Sequence, residues 1–91
     1  MNTPTPTPTA QALFTFQDVT GAFVDVIARA EYAGESLDLT RKDIQGAPAY
    51  IVAGTNTPAA GFDTMPAAWE AFTSQRLARL AAKFGTFEVA K

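Results

Sequence analysis

A chain of 91 residues with 47% hydrophobic and 18% charged side chains is one folded unit at most, too apolar to stay disordered. A net charge of −2 and a pI near 4.8 remove the general attraction to phosphate that nonspecific nucleic-acid binding relies on, so nucleic acid is a disfavoured partner. With no cysteine and no histidine, disulfides, thiolate chemistry, the usual proton shuttle and the commonest metal ligand are all excluded, and no cofactor or metal is expected.

Residues 2–9 read NTPTPTPT. Proline holds each preceding residue extended and removes backbone donors, so a Thr-Pro leader over 1–10 is expected to be disordered, with a single small domain over 11–91. The beginning of the chain has neither the basic nor the apolar region of a signal peptide. No apolar run approaches the ~18 residues of a membrane-spanning helix, so the expected location is cytoplasmic, with no membrane contact.

From Leu13 to Tyr32 two readings compete. In the first, LFTFQ is a strand, Asp18-Val19-Thr20-Gly21 a turn, and AFVDVIARAEY the returning strand. Strict alternation then places Ala22, Val24, Val26, Ala28, Ala30 and Tyr32 on one face. Asp25, Arg29 and Glu31 fall on the other with Phe23 and Ile27. In the second, Asp18 caps a helix over 18–33 with Val19, Phe23, Val26, Ile27 and Ala30 as its stripe. The abundance of Val, Phe and Ile, and a glycine inside the first helical turn, favour the hairpin.

Ala33-Gly34-Glu35-Ser36 is a turn on either reading. Leu37-Asp38-Leu39 alternates, and Thr40 to Ile44 fits a strand continuation or one helical turn. Gln45-Gly46-Ala47-Pro48 breaks the chain, and Ala49 to Ala53 is the clearest strand, stopped by Gly54. Gly54 to Gly61, GTNTPAAG, reads as a small-residue loop. It lacks the lysine and spacing of a phosphate-binding loop.

Phe62 to Phe84 has the periodicity of one long amphipathic helix. Asp63 or Thr64 caps it, Pro66 lies in its first turn, and Gly85 ends it as a left-handed cap. At about 100° per residue Met65, Trp69, Thr73, Leu77, Leu80 and Phe84 form the core face, with Phe72 at its margin. Arg76, Arg79 and Lys83 share one edge, which reads either as a basic strip for an acidic partner or as an ordinary solvated flank. Ala67, Ala71, Ser74, Ala78 and Ala82 form a seam of small residues opposite the core face, a candidate homodimer contact or docking groove. Thr86 to Val89 alternates and fits a final strand.

The fold class implied is α+β: a small antiparallel sheet of about four short strands, with a fifth at the C-terminus, packed against one long C-terminal helix. Catalysis is not expected, because no Ser or Lys lies in a nucleophile motif and no carboxylate pair has a spacing that forces convergence. Asp38 with Asp43, or Glu35 with Asp38, would hold a hard cation weakly at best. A pocket lined by Asp38, Asp43 and Tyr50 would favour a small carboxylate-based enzyme. The leading expectation is a noncatalytic protein that acts by protein–protein interaction, as a phage or mobile-element inhibitor of a host system (anti-CRISPR-like) does. The alternative is a homo-oligomeric structural or accessory subunit.

Overall fold

The computed structural model describes residues 11–90. The expected 1–10 leader lies outside the described residues. The fold is α+β, with six antiparallel strands and two helices near the C-terminus. The strands are β1 (Phe14–Gln17), β2 (Phe23–Tyr32), β3 (Glu35–Ile44), β4 (Ala47–Gly54), β5 (Thr57–Phe62) and β6 (Thr86–Val89); α1 (Met65–Ser74) and α2 (Arg76–Phe84) precede β6. Residues 18–33 therefore take the hairpin form and not the helical one. Two-residue turns connect β2 to β3 and β3 to β4. In both, each central residue has positive φ: Ala33 at 54° with Gly34 at 80°, and Gln45 at 53° with Gly46 at 85°. That geometry matches the strand twist and draws the chain straight back on itself.

Strand β2 is the hub. One edge pairs with β3 along its whole length, and the ladder continues through β4 to β5. The other edge is shared. β1 pairs with Phe23 to Val26 and β6 with Ala28 to Glu31, so the first and last strands lie end to end like one interrupted strand. They meet at Val26 and Ile27, whose carbonyls accept from Leu13 N–H and Ala90 N–H, both at 2.8 Å. A bulge sits at the same point: Val26 pairs with Thr40 and Ala28 with Leu39, which leaves Ile27 as an extra residue.

The bulge overturns the expected facing of β2. Ile27, Ala28 and Ala30 join Leu37, Leu39 and Val52 in the core beneath the helices, where each is at most 2% exposed. Val24 and Val26 are buried as well, yet stand outside that core cluster. Register places them with Thr40 and Lys42 on the opposite, outer face. Strict alternation would have kept Val24, Val26, Ala28 and Ala30 together. The extra residue also separates Asp25, on the helix side, from Arg29 and Glu31, on the outer side.

Two helices replace the single expected one. The break falls at Gln75, which is extended (φ −69°, ψ 139°). The residues just before it supply the cause. Thr73 Oγ1 donates to Trp69 O at 2.9 Å and Ser74 Oγ to Glu70 O at 2.6 Å, the local back-bonding that bends helices. Arg79 Nη1 then caps the exposed carbonyl of Ser74 at 2.6 Å. The break lets α1 cover β3, β4 and β5 while α2 covers β2, β3 and β6, so each follows a different part of a twisted sheet. It also resets the helical phase. Phe72 becomes fully buried, Ala78 and Ala81 turn inward, and Phe84, expected in the core, is 69% exposed.

At the start of α1, Thr64 is the cap, its Oγ1 accepting from Ala67 N–H at 3.3 Å, with Pro66 in the first turn. Gly85 ends α2 at φ −131°, so it is no left-handed cap. A glycine is required there because a Cβ would collide with the carbonyl oxygen of Glu31 on β2. The expected loop over Gly54–Gly61 is mostly strand β5. Its small residues carry no pattern of their own, but the free edge of β4 supplies pairing partners for Thr57, Ala60, Gly61 and Phe62.

Candidate functional site

The helices leave one end of the sheet bare. Among the described residues six large hydrophobic side chains are exposed, and five of them, Phe14, Phe16, Val19, Phe23 and Ile44, belong to β1, the β1–β2 loop, the start of β2 or the end of β3. That clustering makes this end of the sheet the candidate site. Contiguous exposed apolar surface marks interaction sites, whereas scattered single residues do not.

Register orders the outer face into rows. Phe16, Val24, Lys42 and Ala49 form one row, and Phe14, Val26, Thr40 and Ile51 the next. Phe14 and Phe16 are each 45% exposed, while Val24 and Val26 beside them retain 8% and 3%. No described helix packs on this face. The next row carries Glu88, Arg29 and Asp38, of which Glu88 is exposed and Arg29 is paired within the protein. Arg29 Nε donates to Asp38 Oδ1 at 3.0 Å, and its guanidinium also reaches Glu31 at 3.7 Å and lies over the Phe14 ring at 5.7 Å.

The loop at the tip is held by Asp18. Its Oδ1 accepts from the backbone N–H of Thr20 and Ala22 and from Thr20 Oγ1, and its Oδ2 accepts from Lys42 Nζ at 2.6 Å. The lysine, then these donors, hold the carboxyl far below the usual carboxylate range. Asp25 is lowered too, first by the Thr15 hydroxyl at 2.7 Å and then by Arg41, whose Nη2 donates at 2.7 Å. Both carboxylates thus tie β1 and its loop to β2 and β3. Each stays ionised through ordinary pH and serves as a structural tie.

The expected site residues are distributed differently. Arg76, Arg79 and Lys83 are all exposed on α2, where a spacing of three and four keeps them on one side. The small-residue seam does not survive as a line. Ala67, Ala71 and Ser74 lie on α1, Ala78 and Ala82 on α2, and Ala78 is only 1% exposed, inside the core. The carboxylate pairs do not converge either. Asp38 faces the outer side of β3 while Glu35, Asp43 and Tyr50 belong to the other side, so a pocket of Asp38, Asp43 and Tyr50 does not form.

Two grooves flank the β2–β3 turn. One of about 590 Å³ is bordered by Glu31, Glu35 and Phe84, and one of about 330 Å³ by Glu35, Asn56 and Arg76. Ser36 in the first shares a 3.3 Å hydroxyl contact with Thr55, which orients both groups without drawing a proton from either. The feature missed in the sequence is the Phe14–Phe16 pair. Its period-two spacing was visible in LFTFQ, but the face it points to depends on pairing with Val26 and Val24. Comparison with known proteins finds no matching family model, no matching curated protein and no matching solved structure.

Proposed function

We propose that this chain is a noncatalytic protein that acts by protein–protein interaction through the outer face and free end of its sheet. The observation that carries the reading is the pair of half-exposed phenylalanines Phe14 and Phe16 on the outer face of edge strand β1, with Val19 and Ile44 exposed near the same end of the sheet. Aromatic residues dominate the cores of protein interfaces because each removes a large apolar area from water at little cost in side-chain entropy. Masking a surface of another protein is how an inhibitor of a host system carried by a phage or mobile element would use such a face.

The test is affinity capture with the tagged full chain and with a Phe14→Ser, Phe16→Ser double variant. Both rings are half in water on an edge strand, so the variant is expected to keep its far-ultraviolet circular dichroism spectrum and its cooperative melting. Loss of a stoichiometric protein partner from a folded variant is the expected result. An undiminished partner on the folded variant would move the contact off this face, and the exposed Arg76, Arg79 and Lys83 edge of α2 would be the next surface to substitute.

A further inference from the structure

We infer that the outer sheet face is the contact surface for a second copy of this chain, so that two sheets stack face to face with the helices outermost. The inference rests on the interaction reading above and names its partner. Area is the first reason. The molecule is 37 × 34 × 20 Å, a plate one helix and one sheet thick. A face bounded by the two long dimensions has room for the ~800 Å² per partner that a standard interface buries.

Charge is the second reason. In a two-fold contact, residues near the axis meet their own copies, so an uncompensated charge there would repel itself. The Phe16 and Phe14 rows of this face are uncharged except at Lys42, which Asp18 neutralises, and the axis is placed through them. In the next row Arg29 is neutralised by Asp38 and Glu31, while Glu88 is exposed on β6 and lies off that axis. Around the axis a partner of opposite charge would find little to pair with, whereas an identical face meets an equally compensated one. The third reason is shape. An antiparallel face of Phe, Val, Thr, Ile and Ala side chains packs on another at about 10 Å, as in a β-sandwich. For a chain whose helix-covered core is this small, that burial adds stability the monomer lacks.

The absence of cysteine from the sequence makes a single introduced one a unique probe. Thr40→Cys sits mid-face, and Ala67→Cys, exposed on α1, is the control. A short bismaleimide is expected to link pure Thr40→Cys into a covalent dimer and to leave Ala67→Cys single. Equilibrium sedimentation of the wild type is expected to show a dimer, with Phe16→Lys raising its dissociation constant about 30-fold or more while the circular dichroism spectrum is kept. Should Thr40→Cys be disturbed in folding, the sedimentation pair alone still tests the inference.

A wild type that stays monomeric at all concentrations overturns the second copy. If Thr40→Cys then links to a different polypeptide in lysate of the producing cell, the interaction reading stands with another partner. Failure to link to anything in either setting overturns both. A monomer that links or dimerises only after residues 1–10 are removed would instead assign the face to that segment. A dimer unaffected by Phe16→Lys and linked through Ala67→Cys would place the contact on the helices and overturn the inference as well.

Discussion

Phe72 is the most exacting place to test the packing. It is fully buried, its ring lies 5.7 Å from Trp69 in near-parallel contact, and it meets Phe87 of β6 at 5.8 Å. One side chain thereby joins α1 to the last strand. Truncating a buried phenylalanine to alanine costs about 3–5 kcal/mol, because transfer energy is lost and a cavity remains. About eighty residues at 0.05–0.15 kcal/mol each give a total stability of about 4–12 kcal/mol. Phe72→Ala therefore removes a quarter or more of the stability, and all of it at the lower end of that range. Phe72→Leu loses less volume and should cost about 1–2 kcal/mol, lowering the midpoint by about 4–16 °C. Trp69, the only tryptophan, is the built-in reporter. Thermal melts followed by circular dichroism and by Trp69 fluorescence should fall together. A Phe72→Leu protein melting within about 2 °C of wild type, with unchanged cooperativity, would refute the placement of Phe72 at the joint between helix and strand.

Gly85→Ala should destabilise by about 1–3 kcal/mol, since its methyl meets the Glu31 carbonyl and must push β6 away from β2; a midpoint unchanged in thermal melting would show that the close approach is absent. Asp25 has its native pKa held below the ordinary 3.8, so its contribution is complete above that value and is withdrawn as the pH falls beneath it toward the depressed native pKa. The gap in melting temperature between wild type and Asp25→Asn should accordingly be constant from pH 5 to 8 and shrink below about pH 4. A gap that widens in acid would contradict the Thr15 and Arg41 contacts. Gln45→Asn, which converts a positive-φ Gln-Gly turn into Asn-Gly, should add about 0.5 kcal/mol and raise the midpoint by about 2–4 °C, measured by calorimetry.

Features set by near neighbours were legible in the amino-acid order. The Thr64 cap and Pro66 need only the first turn of a helix, the turns at Gly34 and Gly46 need only two residues of positive φ, and Ala49 to Ala53 declares a strand by its own composition. Met65 and Trp69 fall on the core face by helical periodicity alone, and both are buried. Gly85 ends a helix, but not through the left-handed conformation that its place after the periodic run suggests. What demands glycine is a carbonyl on β2, more than fifty residues earlier in the chain.

The rest was written nowhere in a local window. The β5 segment is too small and polar to announce a strand, and only the unpaired edge of β4 makes it one. The helix break at Gln75 follows from back-bonding hydroxyls that periodicity ignores, and it is what separates Ala78 from Ala67, Ala71 and Ser74. Most consequential is the single extra residue at Ile27. A strand's side chains alternate, so a one-residue slip moves everything beyond it to the other face. That slip sends Ala28 and Ala30 under the helices while leaving Val24, Val26 and the two β1 phenylalanines on the outside. The sequence by itself determined an antiparallel α+β framework with Trp69 in its core. Which apolar residues that framework buries, and which it leaves in solvent, was settled by pairing across the sheet, because only tertiary contacts fix the register of a strand against its neighbours.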